Sequence, residues 1–182
     1  MPAADEQQLI LQAKSGSHEA FRVLVERYMK QAYNVAYGFV NDHDDANDIA
    51  QESFVRVFQS IGSFRGDAQF STWLYRIVTN VSLNRTKQRA RKMVREERDP
   101  GVLIEAAQNP FTTEDSDVQM HIERALHQLP TLQRAVVILR HIDGLSTRQV
   151  SGILKCSEGT IKTHLYRGLK KMKEKLSFLK DG

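Results

Sequence analysis

Apolar positions recur along this chain at three- and four-residue steps, and that period predicts helices almost everywhere. Phe21, Leu24, Val25, Tyr28, Ala32, Val35, Ala36 and Phe39 give a broad apolar face to a helix over residues 20–40. Asn41-Asp42-His43-Asp44 supplies turn and cap chemistry. A second helix over 44–61 divides into two faces. Ala46, Ala50, Phe54, Val57, Phe58 and Ile61 point to a core, while Asp44, Asp45, Asp48, Gln51, Glu52 and Gln59 point away. Residues 62–67 read as a loop with two glycines. Ser71 then offers a cap for a helix over 72–92, with Trp73, Leu74, Ile77, Val78 and Val81 inside. Alternation of β-branched residues, the mark of strands, is missing.

The periodicity breaks over 95–116, where Pro100, Gly101, Asn109 and Pro110 fall in an acidic stretch. It resumes with Val118, Ile122, Ala125, Leu126 and Leu129 on one stripe, stopped by Pro130. Thr131 is placed to cap the next helix, which carries Ala135, Val136, Ile138, Leu139 and Ile142 and ends at Asp143-Gly144. Ser146-Thr147-Arg148-Gln149 is a capping-box pattern opening a short helix with Val150, Ile153 and Leu154. The expected fold is therefore all-α. Two small helical domains, 1–94 and 117–182, are joined by a flexible acidic linker, 95–116, and the second contains a helix-turn-helix.

That motif rests on the last helix. Ser157 can cap it, and Glu158 suits its first turn. Ile161, Leu165, Leu169, Met172 and Leu176 form the inner stripe, while Thr163, Tyr166 and Lys170, flanked by Lys162 and Arg167, form a polar, basic outer face. A capped helix, a tight turn and a second helix with such a face suit the DNA major groove, where base edges display distinct donors and acceptors.

Charge sharpens this picture. The net charge is +4 and the pI about 9.2, but the distribution is more informative than the sum. Arg85, Lys87, Arg89, Arg91, Lys92, Arg95 and Arg98 make one basic block. A second runs from Lys155, and the interval from Asp99 to Glu123 holds no lysine or arginine. Composition excludes little else: 41% hydrophobic and 26% charged residues are ordinary for a soluble domain. Neither a signal peptide nor a membrane-length apolar run is present, so a cytoplasmic location is expected. The lone Cys156 rules out an internal disulfide and reads as a small buried apolar residue.

Three motifs now carry a family resemblance. Leu129-Pro130, Leu139-Arg140, Asp143-Gly144-Leu145-Ser146 and Glu158-Gly159-Thr160-Ile161-Lys162-Thr163 together resemble region four of extracytoplasmic-function (ECF) sigma factors of bacterial RNA polymerase, of the sigma-E-like kind. The run from Asp44 to Phe54 is similar to the family's core-binding region two. Phe64-Arg65-Gly66-Asp67, followed by Ser71-Thr72-Trp73-Leu74-Tyr75-Arg76-Ile77 and Asn80, looks like its promoter-melting region. The motifs occur in the family's order and span nearly the whole chain.

The resemblance implies a transcription-initiation factor without catalytic residues, cofactor or metal. Asp48, Gln51 and Glu52 would bind core RNA polymerase at the β′ clamp, and the β flap is the other part of the polymerase expected to be met. Phe64, Arg65, Arg76, Asn80, Lys87, Arg89 and Arg91 would serve the −10 element. Phe64 and Asn80 would hold a flipped base, and the three last-named cations would neutralise phosphates. Trp73 belongs to the core instead. Arg148, Thr160, Lys162, Thr163, Tyr166, Arg167 and Lys170 would serve the −35 element, with Arg148 on a phosphate. Besides polymerase and promoter DNA, the implied partner is a membrane-linked anti-sigma factor that holds the chain at the inner membrane; no stable homo-oligomer is expected. The acidic linker corresponds to a connector along the RNA exit path. Gly168 stands where the family usually has alanine, and it should cost its helix up to about 1 kcal/mol.

Two rival classes remain for comparison. A response-regulator-type transcription factor would need a receiver domain upstream, but residues 1–95 lack strand–helix alternation. An enzyme would need a phosphate-cradling loop, a metal cluster or a nucleophile elbow, and the sequence offers none.

Overall fold

The computed structural model describes residues 3–96 and 114–180, and side chains from 5–92 and 117–179. Among the described residues every regular element is helical. The predicted linker falls almost wholly outside them.

Four helices make the first unit: α1 (Ala3–Lys14), α2 (His18–Val40), α3 (His43–Ser60) and α4 (Phe70–Glu96). Helix α2 is its central element and packs on the other three. Local chemistry sets its ends. Ser17 caps the start by accepting from the Ala20 amide at 3.2 Å, and Asn41 closes the helix in a left-handed conformation at φ 52. Asp42 then caps α3 by accepting from the Asp45 amide at 2.8 Å. Leu24, Val35, Phe39, Ile49, Val57, Phe70, Leu74 and Val78 are fully buried between these helices. Each such side chain contributes on the order of 1.5–3 kcal/mol.

Helix α1 was not anticipated, since only Ile10 and Ala13 are buried among its described side chains, those from Asp5 to Lys14. Tyr28 and Arg27 pin it to α2 by bonding Glu6 and Asp5 respectively. Other boundaries also moved. Helix α4 begins at Phe70, ahead of Ser71, and continues past residue 94. Phe58, placed in the core by its spacing, is 48% exposed at the surface, where it packs on His18 and Phe21. Ile49 and Ser53 take the core positions instead.

The second unit holds α5 (Glu114–His127), α6 (Thr131–Val137), α7 (Thr147–Leu154) and α8 (Glu158–Lys175). Pro130, rather than Thr131, occupies the cap position of α6, and no side chain caps that end. After Val137 the backbone widens into a π-helical stretch, Ile138–Ile142, with the Asp143 amide donating to Ile138 O at 3.0 Å. This buries Ile138 and Leu139 while Ile142 turns outward at the surface. Val118 is likewise exposed, so the buried residues of α5 are Ala125 and Leu126 at its C-terminal end, with Leu129 buried just beyond it.

The two units touch. Helix α4 packs on α7, and α2 packs on α5 and on the π-helical stretch. Ile138 fits against the bare face of α2 at Gly38, where an added Cβ would lie 3.0 Å from Ile138 Cδ1.

Candidate nucleic-acid interface

The helix-turn-helix is built by three successive caps. The Ser146 side chain accepts from the Gln149 amide at 3.2 Å, and Gln149 Oε1 accepts from the Ser146 amide at 2.8 Å, completing the box that opens α7. Lys155 closes α7 in the left-handed region at φ 53. Ser157 then opens α8 by accepting from the Thr160 amide at 3.1 Å. Ile161 and Gly168 of α8 are buried, with Leu165, Leu169 and Met172 partly so.

The outer face of α8 carries Lys162, Thr163, Tyr166, Arg167 and Lys170, all exposed, and Tyr166 is 70% exposed. A large aromatic side chain held in water on a cationic helix face has surface to offer a partner. Thr160 differs: it is half-buried, and its hydroxyl is engaged with Ser157 Oγ at 2.8 Å. His164 is also half-buried, with an interior Nδ1 that meets no partner. Arg148 does not join this face; it lies at the start of α7, turned toward α4.

Gly168 has a role the sequence concealed. A Cβ there would stand 2.8 Å from Val137 Cγ2 and 3.5 Å from Gln133 O, so glycine is what lets α8 lie against α6.

The loop before α4 holds the second group. Phe64 is only 8% exposed. It sits edge-on to Phe70 at 5.8 Å and against Trp73 at 5.1 Å, and its carbonyl accepts from Lys14 Nζ at 2.9 Å. The ring expected to reach a base is thus packed in an aromatic cluster, together with Trp73, which is core as anticipated. Arg65, Gly66 and Asp67 are exposed, and Gly66 takes the left-handed region at φ 79. Along α4, Arg76, Asn80, Lys87 and Arg91 are exposed at helical spacing on one side. Asn84, also exposed, falls on the same stripe and was not singled out in advance. Arg89 diverges from that stripe: its Nη1 pairs with Asp45 Oδ2 of α3 at 3.0 Å, beside Arg85 at 3.3 Å.

On α3, Asp48 and Gln51 are exposed, while Glu52 pairs with Arg56 at 2.6 Å. Val55 is 56% exposed one turn further along. It lies outside the inner stripe, and that is the signal by which it could have been found. Asp143 and His127 are among the perturbed titrating groups. Burial pushes the Asp143 carboxyl up to about 7, and burial, followed by the charge of Arg134, pushes His127 down to about 4. Among the described residues no cluster of His, Cys, Asp or Glu suits a metal ion.

The protein-family model described as Sigma-70 region 2 matches residues 24–92, and the one described as Sigma-70, region 4 matches 119–172. The chain is 31% identical over 176 residues to the ECF RNA polymerase sigma factor SigW of Bacillus subtilis, covering 92% of this chain and 94% of that protein. The chain belongs to the ECF sigma factors. It is 30% identical over 184 residues to the ECF sigma-E factor of Haemophilus influenzae, covering 94% of this chain and 95% of that one. A solved structure of the sigma factor RpoE in complex with the anti-sigma factor NepR from Bartonella quintana matches with TM-score 0.72 at 26% identity, over 86% of this chain and 96% of that one. The structure of CnrH in complex with the cytosolic domain of CnrY shares the fold, with TM-score 0.71 at 23% identity, over 95% of this chain and 97% of that one.

As an ECF sigma factor the protein directs RNA polymerase to promoters and is not an enzyme. Region 2 of this ECF sigma factor contains α3, the Phe64 loop and most of α4; region 4 contains the helix-turn-helix. Among the described residues no helix is long and apolar enough to cross a membrane.

Proposed function

We propose that three separate exposed faces divide the initiation task. The α8 face of Lys162, Thr163, Tyr166, Arg167 and Lys170 reads the −35 element in the major groove. The Arg65 loop with Arg76 and Asn80 engages the −10 element, while Lys87 and Arg91 hold phosphates on the same side of α4. Asp48, Gln51 and Glu52, with Val55 beside them, dock on the polymerase β′ clamp, and region 4 also meets the β flap. The observation that carries this reading is the division of α8, with packing residues on one side and an exposed Tyr166 among cations on the other. Phe64 shapes the −10 loop from beneath, and Arg89 reaches phosphate only by leaving Asp45, an exposed ion pair worth roughly 0–1 kcal/mol. Thr160 serves α8 as part of its cap.

Two finer assignments go with it. The likeness to a sigma factor solved with its anti-sigma factor supports a partner of that kind for this chain; its holding the chain at the inner membrane, and a cytoplasmic location otherwise, rest on the family resemblance alone. The acidic stretch formed by the linker and the first turn of α5, with Glu105, Glu114, Asp115 and Asp117, follows the RNA exit path, its negative charge suiting a channel made for RNA. Run-off transcription tests the central reading. Sigma-free core polymerase plus this chain should give discrete starts on a library of genomic promoter fragments, and replacing Asp48 and Gln51 together should abolish them. DNA binding with no polymerase-dependent start would refute it. For the linker, neutralising the four carboxylates should change abortive initiation and promoter escape; unchanged values would refute that assignment.

A further inference from the structure

We infer that the protein has an anion site apart from its DNA-facing surfaces: the cleft between the end of α2, the rear of α4 and the start of α6 binds a small molecule that carries at least two phosphates. Arg134 of α6 marks the place, a guanidinium only 7% exposed. It belongs to none of the exposed faces described above. Both of its hydrogen bonds leave from Nη1, which donates to His127 Nδ1 at 3.0 Å and to His127 O at 3.2 Å. Nε is buried without a partner, and Nη2 makes no hydrogen bond among the described residues. Nε and Nη2 form one edge of the guanidinium, and such an edge holds an oxyanion through two parallel N–H bonds.

A buried cation ordinarily has a carboxylate beside it, because an unpaired charge away from water is costly. Arg134 has none: among the described residues no acidic group pairs with it, and burial pulls its pKa below the ordinary value. The His127 carbonyl, at the C-terminal end of α5, supplies only the partial negative charge of a helix terminus. The His127 ring adds no charge of either sign at neutral pH. Burial, followed by the charge of Arg134, pushes it down to about 4, so it stays neutral and accepts from Arg134. A full negative charge is therefore what this corner of the fold lacks.

The Arg134 side chain lines a cavity of about 410 Å³, a size that holds a small molecule. Arg85 and Arg89 of α4 line the same cavity, about one helical turn apart. These two share a single close carboxylate, Asp45, at 3.3 and 3.0 Å. Glu52 stands 4.0 Å from Arg85 but is held by Arg56 at 2.6 Å. Asp42 is the carboxylate in the wall itself, and its Oδ1 accepts from the Asp45 amide. Three guanidiniums thus surround a space whose nearest carboxylates, Asp42 and Asp45, leave positive charge over. They come from two different elements, α4 and α6. An elongated anion can place a phosphate against each, whereas a lone phosphate reaches one set and leaves the other unmatched.

Inorganic pyrophosphate is the probe. Titrated calorimetrically into the full chain, with potassium chloride holding ionic strength constant, it should bind at one site per chain. It should also raise the melting temperature, because a ligand held only by the folded state stabilises that state. Inorganic phosphate should bind at least tenfold more weakly. Two variants test the place. Arg134→Gln removes the open fork and should lower pyrophosphate affinity at least tenfold. Ala90→Glu sets a carboxylate in the same wall from an exposed position of α4 and leaves Arg134 untouched. It should lower affinity as much, with helix content by circular dichroism unchanged, and it decides alone if Arg134→Gln fails to fold. No saturable binding overturns the site. Saturable binding that Ala90→Glu leaves intact puts the anion on the DNA-facing cations and overturns it equally. Equal affinity for phosphate and pyrophosphate overturns the assignment of a ligand with two phosphates.

Discussion

Replacing Gly168 by alanine should destabilise region 4, although alanine is the better helix former. Propensity alone predicts a gain of up to about 1 kcal/mol for that change in mid-helix. Packing predicts the reverse. Carbon atoms rest at about 3.5–4.0 Å, and the new Cβ would start 2.8 Å from Val137 Cγ2. Val137 is buried and branched at Cβ, and Gln133 O at 3.5 Å closes another side, so neither neighbour yields cheaply. Overpacking of this kind costs roughly 1–3 kcal/mol. The net expectation, with the full propensity gain set against the overpacking cost, is a loss of about 1 kcal/mol at the middle of a range of about 0–2 kcal/mol, or a few degrees in melting temperature for a chain of this size. Thermal and urea melts of Gly168→Ala, Val137→Ala and the double variant test this. Val137→Ala alone should destabilise by roughly 2 kcal/mol through its cavity. In the double variant the new methyl enters that cavity, and the double should be at least about 1 kcal/mol more stable than the sum of the singles implies. Strict additivity, or a single Gly168→Ala variant as stable as the parent, would refute the argument.

Four other outcomes follow from the same geometry. Tyr166→Ala should weaken binding to a promoter −35 duplex at least tenfold in fluorescence anisotropy while leaving the melting temperature unchanged, because the ring stands in solvent. Lys162→Ala should lower the slope of log affinity against log salt by about one if it holds a phosphate, and Lys87→Ala should do the same on −10 DNA, whereas Arg89→Ala should do so less. Asp143 is held up at about 7, so the folded chain binds more protons than the unfolded one between about pH 4 and 7, and its carboxylate costs stability as pH rises through that window; Asp143→Asn should therefore gain stability over the parent by a few kcal/mol at most at pH 8, with the gap closing by pH 4. His127, held down at about 4, acts oppositely: its contribution to stability is lost as pH falls from about 6.5 to 4, so His127→Gln should flatten the acid side of the melting-temperature profile.

Periodicity was enough to reveal helices that bury one long face. Helix α2 spends seven side chains on the core and was legible; α1 buries two and was not. Caps were legible where a side chain makes them, as at Ser146 and Ser157, and misread where the backbone or a proline does, as at Pro130. Phe58 shows the limit of spacing: it falls on the right side of α3 but meets only the start of α2, where His18 and Phe21 cover part of the ring and leave the rest exposed. Motif resemblance pointed to candidate residues along the chain. It carried no knowledge of tertiary pairing, so it could not see that Phe64 lies under the loop, that Asp45 holds Arg89, or that Arg148 faces α4 rather than lining up with α8. Gly168 looked like a weakness in one helix because its reason lies in another.

Helix α4 is a single uninterrupted element of 27 residues, about 40 Å long, or roughly twelve base pairs of duplex at 3.4 Å each. It therefore works as a ruler. The groups at its front proposed to meet the −10 strand and the cations further along it cannot change their distance or their angular phase independently. One inserted residue between Asn84 and Lys87 would swing the rear cations about 100° off the line set by Arg76 and Asn80, with every residue type unchanged. On the proposed assignment, the distance from the site of strand opening to the first gripped upstream phosphate is written in helix length rather than in any side chain, and a promoter that places its melted bases elsewhere cannot be accommodated by substitution alone.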